Sequence, residues 1–95
     1  MVTIISEKDV LLLLAKRVKE LRLSAGYSRE SLAKKSGVNY ATLRVFESTG
    51  KVSLGHLLLL ASALGRLDEF TALFLPAAAR TILELTAKPR KRGRK

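Results

Sequence analysis

The chain is expected to fold as an all-α, compact five-helix domain with a short extended N-terminal segment and a basic, disordered tail. Three observations lead there. Strand signals are almost absent. From Ser6 onward the sequence alternates helix starts of the Ser/Asn type with Gly stops. The intervals between those stops are too short for anything but short helices joined by turns of a few residues.

The elements follow in order. Val2 to Ile5 (VTII) is the one β-prone patch; it is too short to stand alone but able to pair with a copy from another chain. Ser6 and Asp9 have the spacing of a helix cap, with Asp in the place usually held by Glu. From Asp9 the positions Val10, Leu14, Val18 and Leu21 keep one apolar face, opposite Lys16, Arg17, Lys19, Glu20 and Arg22. Gly26 ends this helix in a left-handed turn. Ser28 caps a second helix that carries Leu32 and Ala33 inward and closes at Gly37. Asn39 caps a third, Tyr40 to Ser48, broken by Gly50. Ser53 caps a fourth, Leu54 to Leu64, ended by Gly65. Asp68 to Leu75 forms a short fifth, stopped before Pro76. Thr81 and Glu84 make a capping pair over a weak last turn, Ile82 to Thr86. The domain therefore runs over 9–75, between an extension at 1–8 and a second at 76–95 that includes the tail.

Composition narrows the chemistry. Ninety-five residues make one small domain. With no Cys and a single His, His56, disulfides, thiolate metal sites and multi-histidine sites are excluded. No cofactor is implied. The longest apolar run, Val10 to Ala15, is far short of a membrane span, and MVTIISEKD lacks the basic start and apolar core of a secretory signal, so a soluble cytoplasmic protein is expected. Ser6, Ser24 and Ser36 have no His–acid partners at a suggestive spacing, and no Gly-rich phosphate loop occurs, which argues against an enzyme. The net charge is +10, yet Lys88 to Lys95 alone carry six Lys/Arg and no acid, leaving the body at about +4. A moderately basic body with a strongly basic tail suits nucleic acid; the plainer reading is a solubilising tail.

Ser28 to Ser48, SRESLAKKSGVNYATLRVFES, holds the functional signal. Two short helices joined by a tight Gly turn are the sequence form of a helix-turn-helix, which places its second helix in the DNA major groove. Leu32, Ala33, Val38 and Leu43 would lock the two helices together, with Ala33 small where they cross. Residues 11–65 resemble the Cro/repressor-type (XRE) helix-turn-helix domains, a lambda-repressor-like fold, through LAKRVKELRLSAGYSRESLAKKSGVNYATLRVFE and SLGHLLLLASALG. The resemblance implies a partly buried structural ion pair between Arg22 and Glu47. It implies phosphate contacts from Ser28 and Arg29 at the start of the second helix. It assigns Asn39, Tyr40, Ala41, Thr42, Arg44 and Val45 to bases and flanking phosphates. Arg44 suits guanine, and Ala41 and Thr42 suit thymine methyls. Lys51 is a further phosphate candidate. In one respect the chain departs from the family: Ser48-Thr49-Gly50 is one residue longer than the usual connection.

Leu11 to Leu14 and Leu57 to Leu60 point in every direction around their helices, more apolar surface than one small domain covers, and Phe70, Leu73, Phe74 and Leu75 add to it. A symmetric homodimer reading two half-sites of an operator follows. The alternative is that the N-terminal segment and the fifth helix cover the leucines within one chain. The F-E-x-T-G-x-V-S-L connection at Phe46–Leu54 further resembles HipB-type antitoxins, which implies an autorepressor paired with a HipA-like kinase toxin. Two other readings stay open: a stand-alone repressor of phage or restriction-control type, and an interaction module that has lost DNA binding. In the tail, Arg92-Gly93-Arg94 resembles the core of an AT-hook, which would lay two arginines in an A·T minor groove, though the usual following Pro is missing; plain phosphate attraction is the alternative.

Overall fold

The computed structural model describes residues 5–78. Val2 to Ile4 of the VTII patch, the Thr81–Glu84 capping pair and the basic tail lie outside the described residues. Four α-helices, α1 (Glu7–Ser24), α2 (Arg29–Ser36), α3 (Tyr40–Thr49) and α4 (Leu54–Ala63), are followed by a 3-10 helix, Leu67–Ala72. The described residues contain no strand.

Each α-helix begins where a side chain satisfies its free N–H groups. Ser6 accepts from the Asp9 N–H at 3.1 Å and the Asp9 carboxylate accepts in return from the Ser6 N–H at 3.2 Å, a complete capping box built on Asp. Ser28, Asn39 and Ser53 accept from the N–H groups of Ser31, Ala41 and His56 at 3.0, 2.7 and 3.0 Å. These contacts are local, which is why the helix starts are readable from sequence.

The core lies where α1, α2, α3 and α4 converge. It is built from Ala15, Val18, Leu32, Ala33, Val38, Leu43, Phe46, Leu57 and Leu60. Phe46, Leu32, Leu43, Leu60 and Val38 are its largest fully enclosed side chains. Burying each of the larger ones contributes roughly 1.5–3 kcal/mol. The two leucine quartets divide as helical geometry requires. Leu57 and Leu60 are buried while Leu59 is exposed; Leu11 and Leu14 are half-buried while Leu12 and Leu13 face out. Val10 departs from its expected inward position. The buried stripe of α1 runs through Ala15, Val18 and Arg22, a line that leaves Val10 in solvent.

α3 runs back along α1, and Gly50 closes it. Gly50 has φ +85°, and a Cβ there would come within 2.9 Å of the Leu11 backbone carbon. The residue is therefore needed twice, for its left-handed turn and for the close passage of α1. α3 runs through Thr49 to a cap at Gly50, so Ser48 and Thr49 belong to the helix and not to a loop after it. Thr49 secures the exit: its hydroxyl donates to the Val45 carbonyl at 2.7 Å and accepts from the Lys51 N–H at 3.1 Å.

The fifth helix differs from expectation in type and extent. It is a 3-10 helix ending at Ala72, without a side-chain cap and without a buried residue. Phe70 is its main attachment to the core. With so little burial nothing sustains another turn, and the chain becomes extended at Leu73 and left-handed at Phe74 (φ +63°).

Candidate nucleic-acid interface

The α2–turn–α3 unit is fixed by its own residues. Leu32, Ala33, Val38 and Leu43 all enter the core, as their spacing predicts. Gly37 ends α2 at φ +81° with open space around it, so its requirement is conformational only. Ser36, which the sequence singles out only as a serine without a catalytic partner, ties the turn: its buried hydroxyl donates to the Ala33 carbonyl at 3.3 Å and accepts from the Val38 N–H at 3.1 Å. A Ser just before the turn Gly is the signal that could have revealed it.

Glu47 is the polar centre of the site. The Arg22 Nε donates to its Oε2 at 2.8 Å and the Arg22 Nη2 to its Oε1 at 3.1 Å, a bidentate pair. The third Arg22 nitrogen, Nη1, donates to the Tyr27 carbonyl at 3.0 Å, so every donor side of this guanidinium is engaged inside the protein. The side chains of Arg22 and Glu47 are 6% and 2% exposed. Arg29 adds a second cation, its Nε donating to Glu47 Oε1 at 3.0 Å, with 39% of its side chain still exposed. Burial works against the Glu47 charge, but hydrogen bonds from Arg22 and then Arg29 outweigh it and hold the carboxyl below its ordinary value of 4.5. The same contact with Glu47, with a smaller contribution from Tyr40, raises Arg29.

Through this carboxylate the end of α1, the start of α2 and the last turn of α3 are joined at one point. α3 then presents Tyr40, Ala41, Arg44 and Val45 outward, with Thr42 half-buried at one side. Ser28 and Asn39 are exposed, but each spends a side-chain oxygen on its helix cap. Lys51 is exposed just past Gly50. Arg92, Gly93 and Arg94 lie outside the described residues. The structure thus brings Ser28, Arg29 and Tyr40 together around one crevice, and Arg29, Arg44 and Val45 around another. Lys51 lines neither.

Among the described residues no group of three or more His, Cys, Asp or Glu side chains could hold a metal ion, and no helix is long and apolar enough to cross a membrane. The helix-turn-helix family model matches residues 18–70, more than half of the chain and all of the α2–turn–α3 unit. Searches of curated proteins and of solved structures returned no match.

Proposed function

Because the chain belongs to the XRE-type helix-turn-helix family, whose members are DNA-binding transcription regulators, we propose that α3 reads an operator in the major groove and that the protein represses transcription there as a homodimer. The observation that carries this reading is the Glu47 centre. α3 is seated in the core by Leu43 and Phe46, and a buried carboxylate shared by Arg22 and Arg29 clamps its last turn as well, holding its outer face at one angle, as groove reading demands. In this reading Ala41, Thr42, Arg44 and Val45 face the bases. Tyr40, Asn39, Ser28, Arg29 and Lys51 line the flanking phosphates. Arg44 pairs with a guanine through O6 and N7.

The test is selection of binding sites from random duplexes, followed by Arg44→Ala on the selected operator. Loss of discrimination at one base pair, worth about 1–3 kcal/mol, is expected. Unchanged base preference would remove Arg44 from the reading.

The homodimer is supported by apolar side chains that one chain leaves in solvent: Leu12 and Leu13 of α1, Leu54 and Leu59 of α4, and Leu67, Leu73 and Phe74 beyond it. Two recognition helices about one helical turn of DNA apart match a two-fold operator. The finer proposal, an antitoxin that represses its own operon and neutralises a HipA-like kinase, is supported by the Phe46–Leu54 connection. Co-expression with a neighbouring kinase-like protein should relieve its toxicity, and toxicity left unrelieved would return the protein to the stand-alone repressors. The Arg92-Gly93-Arg94 tail is proposed to add DNA contacts. Removing residues 88–95 should flatten the dependence of log K on log salt, and an unchanged slope would assign the tail elsewhere.

A further inference from the structure

We propose that the notch between the last turns of α1 and the outer side of α3 seats one DNA backbone phosphate, held by Lys19 and by the outer amino groups of Arg29. Glu47 then has a second task, that of holding Arg29 in position for the anion. This rests on the DNA-reading proposal above and adds to it a contact from α1.

The notch is lined by Lys19, Arg29, Arg44, Val45, Glu47 and Ser48. Three cationic residues and one carboxylate line it, and that carboxylate is already committed to Arg22 and Arg29. Among the described residues neither Lys19 nor Arg44 belongs to an ion pair. The Ser48 hydroxyl turns back to the Arg44 and Val45 carbonyls, at 3.0 and 3.2 Å, and supplies no competing charge. Like charges lining one notch raise its positive potential, which an anion relieves.

Arg22 and Arg29 share Glu47 but differ in what they have left. Arg22 has spent Nε and both amino groups within the fold, whereas Arg29 uses Nε on Glu47, interacts with the Tyr40 hydroxyl, and keeps 39% of its side chain exposed. A guanidinium is a rigid planar fork, so fixing Nε against Glu47 fixes the direction of its two amino groups. Lys19 precedes Arg22 by three residues on α1, which brings it onto the same side of the helix one turn earlier. A fork held in place beside a flexible ammonium is a donor set suited to one phosphodiester. Arg44 and Val45 form the wall between this notch and the base-facing side of α3, so the phosphate would flank the bases that α3 reads.

The experiment uses the full chain and the operator selected from random duplexes, over a series of salt concentrations. Lys19→Gln should weaken every operator variant by the same factor and lower the salt slope by about one. Its gap from the wild type should then shrink about three- to fourfold between roughly 50 and 200 mM salt. Lys19→Arg should restore affinity. A neutral methylphosphonate at the contacted backbone position should weaken the wild type more than Lys19→Gln, which has only the Arg29 contact left to lose, and equal weakening of the two would place Lys19 away from that phosphate. Unchanged affinity and slope for Lys19→Gln, with the wild type still binding specifically, would overturn the notch and leave the DNA reading intact. So would a loss that varies with base sequence. A wild type with no sequence preference would instead overturn the DNA reading, and this proposal with it.

Discussion

The two ends of the domain treat their surfaces in opposite ways. Around Glu47, where α1, α2 and α3 meet, the charges are matched: a carboxylate 2% exposed accepts from one buried guanidinium and one 39% exposed, and beyond it Gly50 closes α3 with no room for a methyl group against α1. Past α4, in the 3-10 helix and the turn after it, no residue through Ala72 is buried, and Leu73 and Phe74 are 52% and 99% exposed. The Glu47 end has its polar groups matched within one chain. The other end presents apolar surface that costs free energy in water until something covers it. Interlocked polar contacts gather at one end and exposed apolar side chains at the other.

The sharpest way to break the matched end is to remove Glu47. Glu47→Ala strands Arg22 in the interior with the Tyr27 carbonyl as its remaining partner and releases Arg29, so a loss of about 3–5 kcal/mol is expected in denaturant unfolding. Arg22→Ala should cost less, because Glu47 keeps Arg29. Equal losses would show that the second arginine contributes nothing. Acid should act in the same direction. The folded pKa of Glu47 is depressed, so its contribution is fully present above the ordinary value of 4.5 and disappears as the pH falls through the lowered folded value. The Tm gap between wild type and Glu47→Gln should therefore narrow only below that ordinary value. A gap that stays constant into acid would exclude the carboxylate charge as its source.

How much of this was legible follows from where each contact is made. Caps at Ser6, Ser28, Asn39 and Ser53, and stops at Gly26, Gly37, Gly50 and Gly65, connect residues a few positions apart, and all were readable. The Arg22–Glu47 pair spans 25 residues and was accessible only through family resemblance. Arg29 was read as a phosphate contact alone, because nothing in an exposed helix start announces a carboxylate on another helix. Four adjacent leucines also cannot say which of them turns inward, hence the error at Val10. A six-residue stretch is too short for periodicity to separate a 3-10 helix from an α-helix, hence the error in the fifth helix.

Gly50 and Gly37 sharpen the comparison next, since both end helices at nearly the same φ, +85° and +81°. Gly37→Ala should cost about 1–2 kcal/mol, the strain of a left-handed residue with a side chain. Gly50→Ala carries that strain and also drives its Cβ to 2.9 Å from the Leu11 backbone, so α1 must move away from α3. Its loss should exceed that of Gly37→Ala and, if α3 reads the operator, should extend to operator affinity, because the α1–α3 packing that positions α3 is disturbed. Equal losses in chemical denaturation would mean that the α1–α3 approach relaxes without cost.

The smallest effect on stability is expected at the apolar end, and there its smallness is the informative result. Phe74 is 99% exposed, so Phe74→Ser removes almost no contact within the chain and should change monomer stability by less than about 0.5 kcal/mol. Its left-handed φ of +63° is unfavourable for an aromatic residue, so the loss is not expected to be larger. If this end meets a second copy, the variant should sediment as a monomer at concentrations where the wild type is a dimer. It should also bind half-sites without the cooperativity that a two-fold operator gives. A Phe74→Ser chain that dimerises like the wild type would move the interface to the exposed leucines of α1 and α4. A variant that unfolds would show instead that Phe74 is covered within its own chain, and the contrast between the two ends would vanish.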